Sequence, residues 1–170
     1  PSSIFKNIFK LQPGHLLTIS ADTHEPSIIQ YWSSSNSVLS ADNQISFAND
    51  LDAVDALENT LLSSVKRQMI ADVPIGAFLS GGIDSSVIVS LMQQQSMQKI
   101  KTFTIGFNHK NFNEAEHAKA VSSVLNTDHS ELYINSQDLL NVIPKLSELY
   151  DEPFGDSSQI PTYLISKFAK

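Results

Sequence analysis

The residues of this chain best suited to chemistry stand together at positions 80–86: Ser80, Gly81, Gly82, Ile83, Asp84, Ser85 and Ser86. They follow an apolar run, Ile75 to Leu79, that Pro74 bounds upstream, the pattern of a short buried strand near 75–79. Glycine takes backbone angles closed to other residues and lets a ligand approach the main chain. If a helix opens just after the glycines, its free N–H groups and the hydroxyls of Ser80, Ser85 and Ser86 form an anion cradle that the helix dipole favours. Phosphate is the obvious guest. A carboxylate beside a bound polyphosphate repels it unless a cation lies between them, so Asp84 adds an expected Mg²⁺ ion shared with phosphate oxygens. The segment is neither the lysine-bearing loop of the common NTPases nor the GxGxxG of dinucleotide sites. A plainer reading of the same residues is a helix cap, a glycine turn and an acid at the positive end of a helix.

The surrounding pattern must position this loop. Leu51, Val54, Leu57, Leu61, Leu62, Val65 and Met69 recur at helical spacing after Asn49, a candidate N-cap, and predict a helix over about 50–70. The strand at 75–79 leads into a helix over about 84–95. Phe103, Ile105 and Phe107 alternate along a second strand, 101–107, and Asn113 with Glu116 resembles a capping box that opens a helix running to Leu125. Residues 129–134 read as a third strand and 137–149 as a helix that Pro144 should kink. Apolar spacing then returns through Ile160, Tyr163, Leu164 and Phe168. Strands alternating with helices predict an α/β fold, a parallel sheet with helices on both faces. Residues 1–48 read instead as short strands and loops ending in a serine-rich linker.

Composition bounds the function. The chain has 170 residues, 41% of them hydrophobic, and a formal charge of −7 from 18 acids and 11 bases, with Arg67 the one arginine. Nucleic-acid binding rests on clustered Lys and Arg, and none cluster here. The absence of cysteine excludes disulfides, thiolate metal sites and a cysteine nucleophile within these residues. No run approaches the length of a membrane span, so a cytoplasmic location is the default expectation. The chain starts at Pro1 and stops at Lys170 inside a helical pattern, as a piece of a longer protein would. His15, His24, His109, His117 and His129 show no ligand spacing.

"LSGGIDSS" resembles the SGGxDS pyrophosphate loop of the ATP pyrophosphatases, enzymes that adenylate a substrate and release pyrophosphate. "RQMIADVPIGAFLSGGIDSS", "TFTIGF", "FNEAEHAKAVSSVLNTDH" and "YDEPFGDSSQIPTYLIS" together resemble the synthetase domain of glutamine-dependent asparagine synthetases. "LQPGHLLTI" with "YW" resembles the end of the glutaminase domain that precedes it in that family. The resemblance therefore implies a glutaminase-type tail and linker over 1–48, and over 49–170 the first part of an adenine nucleotide alpha hydrolase-like ATP pyrophosphatase domain.

On that resemblance Ser80, Gly81, Gly82, Asp84, Ser85 and Ser86 would hold the pyrophosphate of ATP, Asp84 would be the Mg²⁺ ligand, and Leu79 and Ile105 would contact the adenosine. Asp151, Asp156, Ser157 and Ser158 become candidates for the acceptor side, against the alternative of a solvated turn and a helix N-cap. The reaction implied is attack by the side-chain carboxylate of aspartate, or a related carboxylate, on the α-phosphorus, followed by displacement of AMP by ammonia from glutamine. "YDEPFGDSSQIPTY" departs from the bacterial asparagine synthetase pattern toward the broader amidotransferase group, which leaves the acceptor open. In the family the glutaminase cysteine and a second, acidic glycine-rich loop lie outside the residues matched here, so this piece is expected to be inactive alone. A homodimer is a further possible state. Two other functions fit the loop: another ATP pyrophosphatase, of GMP or NAD synthetase type, or a non-catalytic interaction domain on the same scaffold.

Overall fold

A computed structural model describes residues 2–39, 46–107, 114–153 and 155–170. The chain divides into two compact units, residues 1–49 and 50–170. In the first, β1 (His15–Ile19) and β2 (Pro26–Gln30) form an antiparallel pair with His15 opposite Gln30, followed by α1 (Ser34–Leu39). Ile4, Phe9, Ile19 and Tyr31 are exposed in this unit.

The second unit carries the parallel sheet. Its elements are α2 (Asp50–Gln68), β3 (Gly76–Phe78), α3 (Ile83–Gln94), β4 (Lys101–Phe107), α4 (Ala115–Leu125), β5 (Asp128–Ile134), α5 (Ser136–Leu140), a 3₁₀ turn (Ile143–Lys145), α6 (Leu146–Leu149) and α7 (Gln159–Ala169). The strand order is β3-β4-β5, all parallel, with Ala77 beside Thr102 and Thr102 beside His129. Asp50 and Asp52 open α2 while Lys66 and Arg67 close it, each sign set against the opposite end of the helix dipole. Pro144 breaks the helix expected over 137–149 into α5, the 3₁₀ turn and α6, because proline lacks the N–H a continuous helix needs. The capping box sits at the head of α5, where the Asn135 side chain accepts from the Gln137 and Asp138 amides and the Asp138 carboxylate accepts from the Asn135 amide. Asn113, expected to form one at α4, lies outside the described residues, as does His109.

The two faces of the sheet are covered unequally, and not as the apolar alternation of β4 suggests. Thr102, Thr104 and Gly106 are its buried residues, while Phe103, Ile105 and Phe107 are half-buried. Leu79, Val89 and Ala118 pack into one cluster with Ala77, Val121 and Leu125, joining β3 to α3 and α4. A second cluster of Val65, Leu91, Met92 and Ile100 ties α2 to α3. On the other face Phe103 meets Phe168 of α7 edge-on, with ring centroids 5.8 Å apart. Among the described residues no helix is long and apolar enough to cross a membrane.

Burying Thr102 and Thr104 costs free energy unless their hydroxyls are bonded. Thr127 Oγ1 donates to Ser122 Oγ at 2.9 Å, and Thr102 Oγ1 lies 2.9 Å from both Thr127 Oγ1 and His129 Nδ1. Counting protons assigns the histidine tautomer. Thr127 spends its proton on Ser122 and Thr102 spends its own on Thr127, so the third contact needs a proton on Nδ1. His129 Nε2 is then a bare nitrogen, and it is buried without a partner. Desolvation holds the His129 pKa below its usual value; Glu131 opposes that shift and Lys119 adds to it. The unfolded chain thus binds the proton more readily than the folded one. Stability contributed by neutral His129 is complete above the unfolded value of about 6.5 and is lost as pH falls below it. Thermal unfolding followed between pH 8 and 5 should show the midpoint dropping below about pH 6.5, with a shallower drop in that window for His129→Gln.

Candidate functional site

The turn at 80–86 is built at the carboxyl end of β3, where parallel α/β sheets place ligands. Leu79 continues the strand, its amide donating to the Phe103 carbonyl at 2.9 Å, and its side chain closes the core at 1% exposure. Gly81 follows at φ +81°, a left-handed angle that side chains rarely adopt. A Cβ there would stand 2.6 Å from the Ala118 amide nitrogen and 2.7 Å from both the carbonyl carbon and Cβ of His117. The loop is pressed against the first turn of α4, and only a residue without a side chain fits. Gly82 differs: its φ is −72° and a Cβ would meet only Ser80 Oγ, at 3.3 Å. The loop is closed on the α4 side and open at Gly82.

Three serines hold this shape. The Ser80 amide donates to Ser85 Oγ at 3.3 Å and the Gly82 amide to Ser80 Oγ at 3.2 Å. The Gly82 carbonyl accepts from the Ser86 amide, from Ser85 Oγ and, at 2.7 Å, from Ser86 Oγ. The Ser80 and Ser85 hydroxyls also lie 2.9 Å apart, closing the turn on itself. The uncommitted main-chain donors are at the head of α3, because no side chain caps it and the amides of Ile83, Asp84 and Ser85 are its first. Asp84 stands exposed in that turn. The cradle is main-chain in character, with the serines as its frame.

Metal chemistry fits this arrangement in one form. Among the described residues no group of three histidine or acidic side chains could hold an ion unaided. Mg²⁺ usually takes one or two carboxylates and completes its shell with phosphate oxygens and water. A single exposed carboxylate beside the anion cradle suits an ion that arrives with a phosphate.

The second predicted segment is a separate turn. Asp156 Oδ1 accepts from the Ser158 amide and the Ser158 hydroxyl, each at 2.8 Å, just ahead of α7. These two bonds, the main-chain one first, hold the Asp156 carboxyl below its usual pKa. Asp151, Ser157 and Ser158 are exposed. The geometry is that of a helix-opening turn. Ile105 is half-buried on the α7 side of β4, whereas Leu79 faces α3 and α4, so the two do not share a surface. His117 was the missed neighbour. Its place in the first turn of the helix after β4, at the same end of the sheet as the loop, was the available signal. A groove of about 650 Å³ between α2, α3 and α4, lined mostly by apolar residues such as Val54, Leu57, Leu61, Val121 and Val124, carries Glu58 and reaches Ser86 of the loop, and no basic side chain lines it.

The family model for asparagine synthase matches residues 56–170. A Methanocaldococcus jannaschii protein provisionally named a glutamine-hydrolyzing asparagine synthetase is 37% identical over the whole chain, which spans 32% of that protein. The glutamine-hydrolyzing asparagine synthetase 1 of Bacillus subtilis is 31% identical over the whole chain, which spans 26% of it. A Mycobacterium tuberculosis protein provisionally named in the same way is 30% identical, the chain again matched throughout and spanning 25% of the relative. The chain thus spans about a third or less of the curated relatives it matches.

Gly81 and Gly82 separate strain from open space. Gly81→Ala should lose about 1–3 kcal/mol from the backbone angle alone, and more from the contact with α4. Gly82→Ala should change stability by less than about 1 kcal/mol. Denaturant unfolding of both variants checks the contrast.

Proposed function

The chain belongs to the asparagine synthase family, and on that premise we propose that it carries the nucleotide-binding part of an ATP-dependent amidotransferase of asparagine synthetase type. The observation that carries the reading is the loop itself: a left-handed Gly81 closed against α4, an open Gly82, and uncapped amides at the head of α3. Residues 1–48 are then the end of a glutaminase-type domain with its linker, and 49–170 the first part of the ATP pyrophosphatase domain. The division of the chain at Asn49 and Asp50 supports that reading.

In this function the amides of Ile83, Asp84 and Ser85 receive the pyrophosphate oxygens of ATP, while Ser80, Ser85 and Ser86 hold the turn in its receiving shape. Asp84 would hold Mg²⁺ together with the phosphates, and the ion supplies neutralisation of phosphate charge. Gly82 lets the phosphate reach the main chain. Leu79, enclosed at 1% exposure, acts by fixing the end of β3, while Ile105 offers a partly open apolar surface for the adenosine. The acceptor carboxylate, aspartate or a relative of it, attacks the α-phosphorus; the bond from that phosphorus to the pyrophosphate oxygen breaks, and ammonia then displaces AMP from the acyl-adenylate. Positioning and electrostatic stabilisation carry such phosphoryl chemistry, so no nucleophile from this chain is needed. Asp156, with Asp151, Ser157 and Ser158, is the candidate for the acceptor side, where a carboxylate kept ionised by Ser158 would meet the acceptor's ammonium group.

Thermal unfolding with Mg–ATP, Mg–GTP and ATP without the ion tests the reading. Mg–ATP at a hundredfold over its Kd should add about 2.7 kcal/mol, with little effect from Mg–GTP and a smaller shift for Asp84→Asn. Equal shifts for both nucleotides, or no shift for Mg–ATP, would count against it.

A further inference from the structure

The pyrophosphate loop has no cationic side chain of its own. Residues 80–86 contain Asp84 and no lysine or arginine, and the first turn of α4, which closes the loop, follows Glu114 and includes Glu116. Lys119, one turn further on, is paired with Glu131 at 3.6 Å. Lys66 and Arg67 close α2, from which the chain runs to the start of β3, the end of the strand remote from the loop. Within the loop itself a polyphosphate would therefore meet main-chain dipoles and a carboxylate. Among the described residues outside it, His117 stands against the loop. Its Cβ lies 2.7 Å from where a Gly81 Cβ would be, so the side chain starts in contact with the loop backbone, and the residue is exposed. The side chain therefore leaves α4 beside the loop at Gly81, one residue ahead of Gly82 and two ahead of the first α3 amide.

We propose that His117 is a further phosphate-contacting residue, supplying from α4 the cationic or hydrogen-bonding group that the loop lacks. The proposal rests on the reading of 80–86 as a pyrophosphate cradle and adds a residue from outside the motif to it. Gly81 is then required for more than its own turn. By letting the loop touch α4, it brings His117 beside the incoming ligand.

Charge substitutions separate this role from mere support of the helix, because the two roles have opposite signs. At the first turn of a helix a glutamate is favoured by the dipole and a lysine is not, so a structural role predicts that His117→Glu stabilises the free protein relative to His117→Lys. Phosphate contact predicts the reverse order for affinity. Calorimetric titration of the protein with Mg–ATP should show His117→Glu binding about tenfold more weakly than wild type, with His117→Lys within about twofold of it or tighter. Thermal midpoints without nucleotide confirm that each variant folds. Equal affinities in wild type, His117→Glu and His117→Lys would overturn the role of His117 and leave the cradle intact, as would an equal loss in both variants. If the wild-type protein does not bind Mg–ATP, the cradle reading and the proposal fall together.

Discussion

Contact between Gly81 and the opening turn of α4 is the constraint on which the site depends. Two backbone segments meet there with room for a hydrogen atom and nothing larger. That contact fixes how far the chain can travel between the end of β3 and the start of α3, and so where the α3 amides are aimed. The serines act inside this limit: the Ser80, Ser85 and Ser86 hydroxyls lie within hydrogen-bond distance of one another or of the Gly82 carbonyl, locking a turn whose width is set by α4. A second close approach supports the first. A Cβ on Gly106 would stand 2.6 Å from the Tyr133 ring and 3.2 Å from the Ala115 Cβ, so α4 begins low over the sheet, near enough to reach the loop.

The opposite end of the same helix is held by different means. Asn126 ends α4 in a left-handed conformation at φ +55°, and the Thr127 amide returns to the Ser122 carbonyl. The hydroxyls of Ser122, Thr127 and Thr102 then run as a buried chain to His129, tying the end of α4 to both β4 and β5. Polar groups buried in this way are costly unless fully paired, and the unpaired Nε2 of His129 is the one place where the chain stays incomplete. Helix α4 is thus pinned by backbone contact at the carboxyl end of the strands and by a hydroxyl network at the other. Its position is transmitted to the loop without any side chain of the loop being involved.

How much of this was legible in the residues varies with the range of the interaction responsible. The three parallel strands and the helices between them follow from local periodicity, and Pro144 announced the break between α5 and α6. The alternation of Phe103, Ile105 and Phe107 misled about burial, because coverage depends on which helices return over each face. Helices α3 and α4 cover the threonine face, and α7 covers the phenylalanine face only in part. Leu79 and Ile105 read as a pair at strand ends, yet neighbouring strands put them on opposite faces. The capping box of α5, Asn135 with Asp138, was as visible as the one sought at Asn113 and passed unnoticed.

The sequence by itself determined the class of fold, the place of the glycine-serine loop and the family, because each is encoded by neighbours in the chain: period-two and period-3.6 patterns, two glycines after a strand, an acid and hydroxyls on the next turn. Tertiary structure alone decided which glycine has no room for a side chain, which amides at the head of α3 stay uncapped, which histidine has a buried ring nitrogen and which stands beside the loop. Those outcomes depend on atoms some thirty residues apart meeting at van der Waals distance, as Gly81 meets His117 and Thr102 meets His129. Local pattern carries no information about such a meeting; it is set by where packing on the sheet brings each helix to rest.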